Sequence, residues 1–300
     1  MNPSLACIGG TAAYDLLREG ALVAKRLGPQ NSPFGDSAPI YLCESRFGQF
    51  YFLSRHGERG YDLAPTFVNY RANVYALKAL GVRAVASWSE TRAISHNFKI
   101  GQYVLVSDLI DETVSRTNTF FENQGLGLVR QWPVFCPSLR TALATTLGEE
   151  DCPYTNQGVY VCVEGPRQET PAEARKYAAY GGELIGHSLA PEVFLTRELQ
   201  MCYASVCYVA HYAETGSDFH PFENGRVLQP TQERQRAAAA VERLPRILER
   251  LCDVLERIPG ICQCESSMAD YIARGQVDTD WRTWFNHAVS ETHSGSGAAT

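Results

Sequence analysis

Short apolar runs alternate along the chain with segments whose apolar residues recur every three or four positions, the pattern of an α/β layered domain. Residues 5–8, 50–53, 82–88, 159–163, 184–187 and 201–209 read as buried strands. A helix ending at Leu80 stops at Gly81. Thr170-Pro171-Ala172-Glu173 is a capping box with proline at the first helical position, and the helix it opens stops at Gly181-Gly182. Residues 231–258 predict one long amphipathic helix: Val241, Leu244, Leu248, Leu251, Leu255 and Ile258 form its apolar stripe. Arg243, Glu249, Arg250 and Glu256 fall on its wet side, and Pro259-Gly260 ends it. An extension carrying Tyr271, Trp281, Trp284 and Phe285 follows, expected to cover a subunit edge or a pocket mouth. The small polar residues 294–300 predict a disordered tail. The predicted organisation is a domain over 1–259, an extension over 260–293 and that tail, with no internal repeat.

Composition narrows the classes. The 300 residues are 45% apolar, enough for a full core. A net charge of −6 argues against nucleic acid as a partner, which needs a concentrated basic face. No run approaches the roughly eighteen apolar residues of a membrane span, and the start lacks a basic-then-apolar leader, so the expected location is the cytoplasm. Of the ten cysteines, Cys7, Cys43, Cys162, Cys202, Cys207 and Cys252 lie in or beside apolar segments and read as reduced core residues. Cys262 and Cys264 are closely spaced but lack a second pair nearby, so no metal site is predicted.

Three distant segments carry the candidate chemistry: Ile8-Gly9-Gly10-Thr11, Ser54-Arg55-His56-Gly57 and Glu164-Gly165-Pro166-Arg167. Each follows a predicted strand. Glycines at the first let backbone N–H groups converge on an anion, and Thr11 adds a hydroxyl. The second delivers a guanidinium beside an imidazole, an oxyanion clamp or, on the other reading, part of a structural ion pair. Ser89, His187 and His211 fall at the carboxyl ends of strands, which such folds gather into one crevice.

On these residues the chain resembles the trimeric purine nucleoside phosphorylases, most closely the methylthioadenosine phosphorylase branch, over residues 5–259. Val68-Asn69-Tyr70-Arg71-Ala72-Asn73 leading into Ala76-Leu77-Lys78, the stretch 108–111, Pro191-Glu192-Val193 and Cys202-Tyr203-Ala204-Ser205 share in the likeness. The resemblance implies a single nucleoside-phosphorylase-like α/β domain, with a mixed central sheet flanked by helices, assembled as a homotrimer. It implies a small-molecule substrate and no cofactor, orthophosphate being the co-substrate that attacks the anomeric carbon of a purine nucleoside. Thr11, Arg55, His56, Ser89 and Ser188 then correspond to the phosphate ligands.

Other positions depart from that pattern. The segment Ser87-Trp88-Ser89-Glu90-Thr91-Arg92-Ala93 lacks the small, glycine-rich bend that lets relatives bring backbone close to ribose. Glu90 would repel a phosphate dianion unless Arg92 or Arg55 neutralises it; the alternative is a Glu90–Arg92 pair turned to solvent. His211 stands where an Asp protonates N7 of a leaving 6-aminopurine, with Ala213 at the second acidic position. Glu169 matches the Glu of relatives that take 6-oxopurines, Gln168 replaces the aromatic that stacks on the base, and His187 replaces the methionine under the ribose. Three activities fit. The first is phosphorolysis of a purine or 5′-modified nucleoside, with His211 or Glu169 supporting the departing base. The second is hydrolysis, with Glu90 as general base. The third is a re-used pocket that catalyses a cyclisation or isomerisation steered by His187, His211 and Glu90.

Overall fold

The computed structural model describes residues 3–122, 124–214, 222–224, 226–258 and 261–285. The first half runs β1 (Leu5–Gly9), α1 (Thr11–Arg18), β2 (Val23–Gly28), the short β3 (Asn31–Ser32) and β4 (Gly35–Asp36), β5 (Ile40–Ser45), β6 (Gly48–Ser54), α2 (Tyr70–Ala79), β7 (Ala84–Ala93), β8 (Tyr103–Leu105) and β9 (Asp108–Glu112). Then follow α3 (Pro137–Glu149), β10 (Tyr154–Thr155), β11 (Val159–Val163), α4 (Pro171–Ala179), β12 (Leu184–Gly186), α5 (Glu192–Glu198) and β13 (Cys202–Tyr212). The chain continues through β14 (Phe222–Glu223), β15 (Arg226–Val227), α6 (Thr231–Glu242), α7 (Leu244–Arg257) and α8 (Ala269–Ala273).

Eleven strands form one mixed sheet in the order β10-β8-β13-β7-β1-β6-β5-β2, with β12, β11 and β9 branching from β7. β1 lies parallel to both β6 and β7, and β13 is parallel to β7. The far end of β7 turns to pair antiparallel with β12, Ile185 opposite Arg92. β7 therefore belongs to both parts of the sheet, and the carboxyl ends of β1, β6 and β13 open beside the bend it makes.

Helices cover both faces. Val74 and Leu77 of α2 and Val193 and Leu195 of α5 close one core layer. Leu16 of α1, Leu139 and Leu143 of α3, and Leu248 and Leu251 of α7 close the other. The Thr170 capping box forms as the sequence predicts, and Gly81 follows α2 with φ of +93°. Among the described residues no helix is long and apolar enough to cross a membrane.

Two sequence expectations change. The helix predicted over 231–258 is two helices, α6 and α7, meeting at Arg243. Pro245 has no N–H to offer the preceding turn and its ring crowds that turn's carbonyl, so the ladder breaks there although the apolar stripe continues. The fold also brings Cys136 and Cys202 to Cys262 and Cys264, supplying the pair that their spacing lacks. The aromatic extension packs on its own chain: Trp281 meets Tyr75 at 5.0 Å, and Phe285 meets Phe120 at 5.2 Å and Phe34 at 5.5 Å. Pro259-Gly260 and the tail 294–300 lie outside the described residues.

Candidate active site

A cavity of about 250 Å³ opens at the carboxyl ends of the parallel strands. One wall is the turn from β1 into α1. Gly9 is required there, because a Cβ would stand 2.7 Å from both Ala13 and Phe52. Thr11 is the first residue of α1, so the turn aims helix-terminal N–H groups into the cavity. The Thr11 hydroxyl donates to the Gly60 carbonyl at 3.2 Å.

Arg55 follows β6 and is 1% exposed. Its Nε and Nη2 donate to the two Glu192 oxygens at 2.5 and 3.1 Å, and Nη2 also reaches Ser87 Oγ at 3.1 Å. Glu192 is steadied in turn by the Tyr203 hydroxyl at 2.7 Å. The remaining nitrogen, Nη1, is buried without a hydrogen-bond partner and lies 4.0 Å from where a Cβ on Gly10 would be. One edge of the guanidinium is thus fixed and the other faces the Gly10-Thr11 turn. Arg55 is in an ion pair, and its Nη1 remains as a donor beside the cavity.

His56 stacks near Tyr61, with ring centroids 4.7 Å apart, and its Nδ1 lies 2.8 Å from the Leu63 carbonyl. Burial, reinforced by the Arg55 charge, pushes its pKa down to about 4. The imidazole is therefore neutral at pH 7, with the proton on Nδ1 where the carbonyl needs it and a lone pair on Nε2. The same holds for His187, whose pKa burial and Arg92 lower to about 4, and whose Nδ1 and Nε2 face the Val163 carbonyl and Arg92 Nη2, each at 3.4 Å. Ser89 and Ser188 line the same cavity, and Ser89 Oγ sits 3.5 Å from Ser87 Oγ.

Glu90 lines the cavity at its exposed rim and accepts from the Tyr208 hydroxyl at 3.1 Å. It does not pair with Arg92. Arg92 is instead clamped by Glu169, Nη2 to Oε2 at 2.6 Å and Nε to both oxygens at 3.0 Å. The Glu169 carboxylate thus turns to Arg92 and stands behind it, outside the cavity lining. Gln168 is exposed beside it and contributes nothing to the lining. His211 is also outside the lining: β13 bulges between Val209 and His211, and Tyr208 is the side chain this strand sends into the cavity.

Sequence reasoning missed several residues. Glu192 stands within the Pro191-Glu192-Val193 motif, but nothing in its neighbourhood announces a partner 137 residues away. Trp88, Tyr61 and Tyr208 give the cavity its aromatic surface. Arg116, 8% exposed, donates to the carbonyls of His187, Ala190 and Glu164, each at 2.7 Å, and so fixes the loops that carry His187 and Ser188.

The Phosphorylase superfamily model matches residues 4–253. The chain is 34% identical over 270 residues to the 6-oxopurine nucleoside phosphorylase of Pyrococcus furiosus, covering 86% of this chain and 98% of that one. It is 39% identical over 206 residues to the probable S-methyl-5'-thioinosine phosphorylase of Methanothermobacter thermautotrophicus, covering 69% and 70%. The crystal structure of a methylthioadenosine phosphorylase sourced from an antarctic soil metagenomic library superposes with a TM-score of 0.76 at 27% identity, over 89% of this chain and 91% of that chain.

Proposed function

The chain belongs to the phosphorylase superfamily, and from that premise we propose how its cavity cleaves the N-glycosidic bond of a purine or 5′-methylthio nucleoside. The observation that carries the reading is the half-anchored Arg55, with Glu192 on one edge and Nη1 turned to the Gly10-Thr11 turn. Orthophosphate is the co-substrate that fits between them. Arg55, the amides of the turn, Ser89 and Ser188 donate to its oxygens. The neutral His56, with its lone pair on Nε2, accepts the proton of a hydrogen-phosphate. One phosphate oxygen bonds to the anomeric carbon as the bond to the purine nitrogen breaks. The electron pair leaves with the base, which takes up a proton, and sugar 1-phosphate remains. The sugar passes through an oxocarbenium-like state, so orientation and charge supply most of the rate. The Glu90 carboxylate at the rim is suited to that positive charge and to sugar hydroxyls.

On the base side the cation is Arg92 beside His187. A guanidinium only donates, so it favours a base that presents acceptors, as the oxygen and N7 of a 6-oxopurine do. We therefore assign the 6-oxo class over the 6-amino class. Assembly as a homotrimer and a cytoplasmic location belong to the same reading.

Release of free base from inosine and from 5′-methylthioinosine, assayed with and without phosphate, tests the reaction. Base is expected only with phosphate. Arg55→Ala would strand the Glu192 carboxylate, so the informative variant is Ser89→Ala. Losing one hydrogen bond to a charged phosphate oxygen, about 1.5–3 kcal/mol, should raise the phosphate KM roughly ten- to 150-fold. Equal release without phosphate would instead favour hydrolysis with Glu90 as the base, a reading supported by its place in the cavity and its Tyr208 hydrogen bond. No release from either nucleoside would overturn both.

A further inference from the structure

Far from the cavity, four cysteines from three parts of the chain meet. Cys136 caps α3, Cys202 opens β13, and Cys262 and Cys264 lie beyond α7. Their sulfurs all lie within 4.8 Å of one another, Cys202 and Cys262 at 3.4 Å, and Cys136 and Cys264 are buried. The backbone around them is fixed independently of the sulfurs. The Cys136 amide donates to the Tyr203 carbonyl and the Cys202 amide to the Arg83 carbonyl, both at 2.8 Å. Ser138 Oγ donates to the Ile261 carbonyl at 2.5 Å, Ser267 Oγ to the Arg197 carbonyl at 2.6 Å, and the Gln200 amide to the Glu265 carbonyl. The convergence is a property of the fold.

We propose that Cys136, Cys202, Cys262 and Cys264 bind one zinc ion in a structural four-thiolate site that fastens the segment 261–285 to the body of the protein. Zinc–sulfur bonds of about 2.3 Å in a tetrahedron put sulfurs about 3.8 Å apart, within about 1 Å of the observed arrangement. Soft thiolates in a closed four-sulfur set select zinc over hard cations. Binding releases the thiol protons to solvent and leaves a net negative centre, which the half-buried Lys78 of α2, near Cys202, partly offsets. The site takes no part in glycosidic cleavage. Cys202 begins β13 and the cavity residue Tyr208 lies six residues along it, roughly 20 Å away. What the metal fastens is the start of the extension: its loss would loosen the segment that leads to Trp284 and Phe285, both core residues.

The test is elemental analysis of the full wild-type chain, purified without chelator, beside mapping of its cysteines under non-reducing conditions. About one zinc per chain is expected, with all four cysteines recovered as thiols after denaturation and chelation. Replacing both Cys262 and Cys264 by serine should lower zinc at least about tenfold and speed proteolysis within 261–285. Zinc below about a tenth per wild-type chain, or disulfides joining these cysteines, would overturn the proposal. The wild-type measurement decides it even if the serine variant does not fold.

Discussion

Both cavity arginines are held by a glutamate from a distant part of the chain, Arg55 by Glu192 and Arg92 by Glu169. A buried ion pair cannot be probed by removing one member, because the stranded charge costs several kcal/mol by itself. Specificity for the base is therefore best tested with Arg92→Met and Glu169→Gln together. A charge-assisted hydrogen bond to the base contributes about 1.5–3 kcal/mol, so the preference in kcat/KM for inosine over adenosine should fall at least about tenfold. The phosphate KM should barely move, since Arg55 and the Gly10-Thr11 turn are untouched. A preference that survives the double variant would place base recognition elsewhere. At this scale the sequence speaks unevenly. Thr11, Arg55, His56, His187 and Ser188 stand just past strand ends, Ser89 lies within β7, which runs on past the predicted end at Trp88, and all line the cavity. Glu169 and His211 do not, because Glu169 is drawn to Arg92, 77 residues away, and β13 bulges before His211, and no local pattern encodes either; Gln168 lies exposed beside Glu169.

Helix α5 shows how one short element serves two places. Its first residue, Glu192, reaches Arg55, and its last, Glu198, accepts from the Phe120 amide at 2.7 Å and the Thr119 hydroxyl at 2.6 Å. Glu198 is 3% exposed, and burial raises its pKa to about 7 against an ordinary 4.5. The folded protein thus holds a proton that the unfolded chain gives up. This contribution is complete below pH 4.5 and lost as pH rises through 7. His56 and His187 act oppositely: folded values of about 4 against 6.5 make their contribution complete above 6.5 and lost as pH falls through 4. Comparing wild type with Glu198→Gln by urea unfolding isolates the glutamate. Between pH 5 and 8.5 the wild type should lose about 2 kcal/mol more than the variant. Parallel profiles would show that Glu198 is ionised throughout. Elements themselves were largely legible, since strand runs, the Thr170 box and Gly81 are local signals. The break at Arg243 was also written, in Pro245, but the continuous apolar stripe concealed it.

For the whole molecule, the resemblance implies three copies, and the described chain leaves exposed aromatic surface beside the cavity that a second copy would cover. Phe67 is 73% exposed, two residues after Pro65, which lines the cavity. The aromatic extension does not shield it, being spent on Phe34, Tyr75 and Phe120 within its own chain. A ring of that size gains about 1.5–3 kcal/mol on full burial, and a closed ring of three copies repeats the gain at every interface. Sedimentation of the wild type at micromolar concentration should therefore give a particle three times the 33.3 kDa of the chain. Phe67→Asp should sediment with a smaller mass and, because Pro65 is so near, raise the nucleoside KM as well. A monomeric wild type would remove the trimer from the proposed function. A dissociated Phe67→Asp with unchanged nucleoside KM would keep assembly and catalysis as separate properties, each copy closing its own site.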